Sequence, residues 1–169
     1  MRRVAFIFMA IVAMAVTACI NEDMPKRKDV VRVGHTLPDF SVIMNNGEVV
    51  TADMLRDGVS VIVFFHTSCP ECQELLPQMQ TLYDEYTERD VTFVLISREE
   101  TAESVSSFWA QHNLTMPYSP QEDRTIYELF ANTLIPRVYI SDNGVVQTVF
   151  DDNPVPSYND IEIALNGLL

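Results

Sequence analysis

The sequence predicts one α/β domain, and three observations carry that prediction. Two continuous runs, Val59–Phe65 (VSVIVFF) and Val91–Ser97 (VTFVLIS), are apolar and β-branched enough to read as strands buried on both faces. Between them, Leu75, Leu76, Met79, Leu82, Tyr83 and Tyr86 recur at three-and-four spacing, the stripe of a helix packed on a sheet. Toward either end, short alternating segments are broken by Asn46-Gly47 and Asn143-Gly144, which read as hairpin turns. At 169 residues, 47% hydrophobic and 21% charged, the chain is long enough to bury a core of its own. A net charge of −13 argues against nucleic acid as a partner, since phosphates select clustered Lys and Arg. Three cysteines are too few for a disulfide-stapled miniprotein.

The first 18 residues read as an export signal rather than as part of the domain. Arg2-Arg3 precede Val4–Ala18, a 15-residue run that is apolar except at Thr17. Such a run is short of the roughly 20 residues that cross a bilayer but suits a signal-peptide core. It ends in Val16-Thr17-Ala18-Cys19, which resembles the lipobox of bacterial lipoproteins. The resemblance implies that Cys19 is lipidated, becomes the first mature residue and ties the protein to a membrane. An ordinary signal peptide with an incidental cysteine is the plainer alternative. Removing residues 1–18 takes the net charge from −13 to −15, so attachment to an anionic lipid surface rests on acyl chains. Residues 19–33, with Asn21-Glu22-Asp23 and Lys26-Arg27-Lys28 around Pro25, read as a solvated tether. The domain proper is expected over 34–169.

The elements follow in order. Phe40–Met44 and Val49–Thr51 form the first hairpin, and Thr51–Leu55 a short helical turn. The strand Val59–Phe65 leads through His66-Thr67-Ser68-Cys69-Pro70-Glu71-Cys72 into a helix reaching about Arg89, with a kink expected at Pro77. After the strand Val91–Ser97, residues Thr101–His112 suit a helix with Val105, Phe108 and Trp109 inward. Arg124–Ala131 is a short helix, Pro136–Ile140 and Val145–Phe150 a second hairpin, and Tyr158–Leu168 a closing amphipathic helix.

The chemistry is concentrated in Cys69-Pro70-Glu71-Cys72. The pair stands at a strand-to-helix junction, where unpaired N–H groups and the positive end of the helix dipole favour a thiolate at the first cysteine. The second lies one turn in and is more shielded. Pro70 fits the first helical turn, where no N–H is missed. This suits attack by Cys69 on a disulfide and resolution by Cys72, with no cofactor. The Glu71 carboxylate opposes the dipole and disfavours a strongly oxidising pair. Other readings of the pair are half a zinc site or a structural disulfide. No second cysteine pair exists, His35, His66 and His112 match no zinc spacing, and so small a ring stabilises little.

From Gly34 onward the chain resembles the thioredoxin-like family, specifically exported thiol–disulfide oxidoreductases of the TlpA/ResA type. Leu37-Pro38-Asp39-Phe40 resembles the segment ahead of that type's extra hairpin. Cys69-Pro70-Glu71-Cys72 matches its active-site motif. Ile135-Pro136, followed by Arg137-Val138-Tyr139-Ile140 and Asp142-Asn143-Gly144, resembles its cis-proline strand and hairpin. The resemblance implies a central mixed β-sheet flanked by helices with an extra N-terminal β-hairpin. It further implies a cis Ile135-Pro136 bond facing the cysteines, backbone pairing of that loop with an extended client, and no metal at the site.

The chain departs from the family at several positions. Ser68 stands where many relatives have Trp. Val63 replaces a buried Asp six residues before the first cysteine, and Leu75 replaces a Glu three residues after the second, with Glu74 one position early. The usual proton acceptor for Cys72 is thus missing, and His66 and Glu71 are substitutes by proximity alone; a structural or surface role is the alternative for His66. Arg137 stands where Thr is common: it is expected as a counter-charge to Cys69, as a grip for an acidic partner, or exposed away from the site.

The function implied is a lipid-anchored oxidoreductase of the bacterial cell envelope facing the periplasm. It would reduce or isomerise disulfides of exported proteins and be re-reduced by a membrane electron relay. A thioredoxin-fold thiol peroxidase is one alternative, although His66 stands where that motif needs Thr. The other is a non-enzymatic lipoprotein for copper delivery or envelope docking.

Overall fold

A computed structural model describes residues 29–169 of the protein. The expected signal peptide at 1–18, the lipidation at Cys19 and the first part of the tether, to residue 28, lie outside the described residues.

A five-stranded mixed sheet organises the domain, in the order β5-β4-β3-β6-β7. At its centre β3 (Val59–Phe65) is buried along its whole length, as its unbroken apolar run demands. It pairs in parallel with β4 (Val91–Ser97) and antiparallel with β6 (Arg137–Asp142). The outer strands are β5 (Tyr118–Ser119), parallel to β4, and β7 (Val145–Phe150), antiparallel to β6. The expected N-terminal hairpin is a separate two-stranded sheet, β1 (Ser41–Ile43) with β2 (Val49–Thr51), followed by a 3₁₀ turn at Ala52–Arg56.

Helix α1 (Pro70–Tyr86) buries Leu75, Leu76, Met79, Leu82 and Tyr86 and continues through Pro77, with a 3₁₀ turn at Thr87–Arg89 completing the expected span. Tyr83 of the predicted stripe is only half-buried. In α2 (Ala102–His112), the Thr101 hydroxyl caps the N-terminus by accepting from the Ser104 N–H, and Val105, Phe108 and Trp109 face the core. The Trp109 indole donates to the Met116 carbonyl at 2.9 Å, which satisfies its one polar atom. The short α3 (Thr125–Glu128) covers half of the predicted 124–131, because Leu129–Ala131 leave the helix to meet the N-terminal segment. The closing helix α4 (Tyr158–Asn166) begins with a capping box between Ser157 and Asp160 and is tied to α1 by the Tyr86–Asn166 hydrogen bond.

Two features depart from the sequence reading. Strand β5 is two residues long and follows Pro117, too short for any periodicity to reveal. More consequential, the chain joins the folded body earlier than Gly34. Asp29 bridges to Ala131, the N–H groups of Val30 and Val31 both donate to the Phe130 carbonyl, and Val31 is only 4% exposed. Arg137, expected beside Cys69 or in solvent, is 1% exposed and paired with Asp29. Residues 29–33 are therefore part of the domain.

Deleting residues 1–33 is expected to lower stability by about 3–5 kcal/mol relative to deleting 1–28, since Arg137 is left buried without its counter-ion. Urea unfolding of the two shortened chains checks this.

Candidate active site

The sheet brings two sequence-distant segments together. Antiparallel register places Arg137 opposite Phe64, so β6 begins where β3 ends. The turn His66–Cys69 leaving β3 therefore lies beside Ile135-Pro136, which enters β6. The Ile135-Pro136 bond is cis, as the resemblance implied; Asn153-Pro154 is cis as well.

Cys69 is the N-cap of α1, and Pro70 occupies the first helical turn. The Cys69 N–H donates to the His66 carbonyl at 3.0 Å, closing the turn that aims the side chain outward. Its sulfur lies 3.2 Å from a Glu71 carboxylate oxygen and 3.6 Å from the Ile135 carbonyl oxygen. It is partly exposed, whereas Cys72 is fully buried; both are free thiols. Burial pushes the Cys72 thiol far above its usual range. Contact with the His66 backbone pulls the other way, and the neighbouring Cys69 thiol and Glu71 add to the rise. The two sulfurs are thus adjacent but differ sharply in access. Glu71, fully exposed, has its carboxyl held below the usual range by its own backbone N–H and by the Cys69 thiol.

A cleft of about 710 Å³ opens at Cys69, walled by Pro70, Glu71, Arg98, Leu134 and Ile135 among others. A second cleft of about 590 Å³, lined by Glu48, Asp57, Tyr83 and Asp90, lies at the opposite end of β3 and β4 and contains no cysteine. On the cis-proline side, Leu134 holds φ +69°, a left-handed conformation costly for a bulky residue. It is braced by the Tyr127 hydroxyl, which donates to the Leu134 carbonyl at 2.6 Å.

The other candidate residues separate. His66 is near the cysteines, but its Nδ1 is occupied locally, accepting from the Ser68 N–H at 3.1 Å with the Ser68 hydroxyl 3.0 Å away. Arg137 faces away from Cys69. Its guanidinium binds Asp29 and donates to the Thr133 carbonyl at 3.2 Å. It is neither a counter-charge to the thiol nor open to an acidic partner, because the sheet register turns it inward behind the proline. Val63 and Leu75, the positions where the resemblance led one to expect acids, are sealed in the core, and Glu74 is exposed.

The residue that sequence reasoning missed is Glu100. Its carboxylate is buried (4% exposed) beneath the turn preceding Cys69. One oxygen accepts from the Thr67 N–H at 2.8 Å; the other accepts from the Thr67 hydroxyl and, at 3.0 Å, from Ser104, and lies 3.6 Å from His66 Nδ1. A buried carboxylate is tolerable only with such donors. Its sequence signal was slight: it stands one residue before the Thr101 cap, in an exposed-looking Arg-Glu-Glu run. Among the described residues, no group of three or more His, Cys, Asp and Glu is arranged to hold a metal.

The AhpC/TSA family signature matches residues 33–149, which take in the cysteines, Glu100 and the cis-proline loop. The chain belongs to the AhpC/TSA family. It is similar to the thiol-disulfide oxidoreductase ResA of Oceanobacillus iheyensis, at 30% identity over 158 residues, 88% of this chain and 82% of that protein. Among solved structures it resembles a thiol:disulfide interchange protein of the thioredoxin family from Chlorobium tepidum. There the TM-score is 0.70 at 21% identity, covering 82% of this chain and 98% of that one. Peroxidoxin BcpB of Mycobacterium tuberculosis shares the fold at TM-score 0.66 and 18% identity, over 82% and 96% of the two chains. The fold is thioredoxin-like, and the enzyme class is thiol–disulfide oxidoreductase.

The buried thiol makes stability depend on pH. An unfolded Cys72 ionises near the ordinary value of about 8.5, whereas the folded side chain keeps its proton well above it. Above about pH 8.5 the unfolded state releases that proton first, so the reduced protein loses up to about 1.4 kcal/mol per pH unit from this group. Denaturant unfolding between pH 7 and 10 should show this slope in the reduced protein and its absence in Cys72→Ala.

Proposed function

We propose that the protein reduces or isomerises disulfides of exported proteins by exchange at Cys69. The observation that carries this reading is the asymmetry of the pair: one sulfur reaches a cleft at a helix N-terminus, and its twin is fully buried beside it. The Cys69 thiolate attacks a client disulfide, forming a mixed disulfide and releasing one client thiolate. Cys72, once deprotonated, attacks the Cys69 sulfur, so that the client leaves as a dithiol and the enzyme holds a Cys69–Cys72 disulfide. Two electrons pass to the client. In the isomerase mode a different client thiolate attacks the client sulfur of the mixed disulfide instead, forming a new client disulfide and expelling the Cys69 thiolate. Pro136 and the Ile135 carbonyl line the client's path beside the nucleophile.

The Glu71 carboxylate lies 3.2 Å from the Cys69 sulfur, a negative neighbour that weighs against a strong oxidant. The leader at 1–18 and Cys19 support anchoring in the bacterial cell envelope, facing the periplasm. In that oxidising setting a membrane electron relay must restore the dithiol. Kinship with a peroxidoxin fold makes peroxide the second substrate to assay, with dithiothreitol as reductant.

Cys69→Ser should abolish disulfide turnover, while Cys72→Ser should accumulate mixed disulfides with clients, visible as dithiothreitol-sensitive adducts on non-reducing gels. Absence of adducts in Cys72→Ser argues against the scheme. Equilibration with glutathione or dithiothreitol is expected to give a reduction potential near that of thioredoxin, about −270 mV; a value near −120 mV would identify an oxidant.

A further inference from the structure

The cis-proline loop does not hold its shape unaided. Leu134 sits at φ +69°, and its carbonyl and that of Phe130 are gripped from inside by the Tyr127 and Tyr139 hydroxyls, at 2.6 and 3.2 Å. From the other side the grip comes from outside the thioredoxin-like elements. The N–H groups of Val30 and Val31 donate to the Phe130 carbonyl at 3.0 and 2.9 Å, and Asp29 bridges to Ala131. The Arg137 guanidinium spans the gap. One of its terminal nitrogens pairs with Asp29, and the other donates to the Thr133 carbonyl. Arg137 directly follows Pro136, and its buried charge has Asp29 as its carboxylate partner. Displacing Asp29 therefore forces Arg137 to seek another acceptor or reach water, and either movement draws on Thr133 and Pro136. The Ile135 carbonyl between them lies 3.6 Å from the Cys69 sulfur.

We propose that Asp29 is a positioning residue of the exchange reaction: through Arg137 it fixes the Thr133–Pro136 loop against which a client segment lies. The segment leading to the anchor thereby becomes part of the client-binding surface. The inference rests on the exchange reading given above, and the experiment separates the two. Dithiothreitol-driven reduction of a disulfide-bonded peptide is followed in the full chain, with reaction of hydroxyethyl disulfide at Cys69 as the check on the thiol itself. If the unaltered protein reacts with neither disulfide, the exchange reading fails rather than this one.

In Asp29→Asn the KM for the peptide is expected to rise about tenfold, and Asp29→Glu should bring it back to within about threefold of the original. The double variant Asp29→Asn/Arg137→Thr leaves no buried charge unpaired. It should recover the thermal midpoint lost in Asp29→Asn while its KM stays raised, since the clamp on Thr133 is gone. A KM unchanged in Asp29→Asn despite a lower midpoint would overturn the proposal, as would a double variant whose KM recovers together with its midpoint.

Discussion

The antiparallel register between β3 and β6 is the constraint on which the cysteine-bearing end of the molecule depends. Pairing Phe64 with Arg137 leaves both strands ending at the same edge. The turn that follows β3 and the loop that precedes β6 have nowhere to go except alongside each other. Sliding the pairing by one residue would turn the β6 side chains to opposite faces of the sheet, moving Arg137 away from Asp29 and exchanging the residues that fill the two buried faces. Core burial and site geometry are therefore the same constraint seen from two sides.

Two buried charges brace that edge, and they do different things. Glu100 lies under the turn that leads to Cys69 and is satisfied by donors from Thr67 and Ser104, so it stiffens the backbone just ahead of that residue. Arg137 lies behind the cis-proline loop and depends on a residue far away in the chain. Each is costly to strand, because an unpaired charge in this interior has no water to turn to. The site is thus built on polar contacts whose loss is penalised more heavily than their presence is rewarded. That asymmetry keeps the geometry unique.

Much of this was legible beforehand, for physical reasons that can be named. The β3 and β4 runs were unambiguous because buried strands need unbroken apolar residues, and the α1 stripe because a helix face repeats every three or four positions. Cys69 and Cys72 were legible because thiols are rare and their spacing is chemical. Glu100 was not, since a glutamate in a charged run looks solvated until the fold lays a backbone amide over it. Asp29 and Arg137 were not, since an ion pair spanning 108 positions leaves no local periodicity. Val30–Val33 gave too short an apolar signal to mark a docking segment against the charged run before it.

The unequal exposure of the two sulfurs also decides how the molecule wears out. Peroxide and hypochlorous acid reach whatever thiol the solvent reaches, and beyond the sulfenic stage the damage is seldom repaired. Of the pair, Cys69 is the one open to such a lesion, while Cys72 is shielded behind the first turn of the helix. On the exchange scheme proposed above, a single overoxidised sulfur is then enough to retire the protein, and the surviving partner cannot rescue it. In that scheme, prompt closure of the Cys69–Cys72 disulfide, which hides the vulnerable atom in a bond, doubles as protection against that ageing.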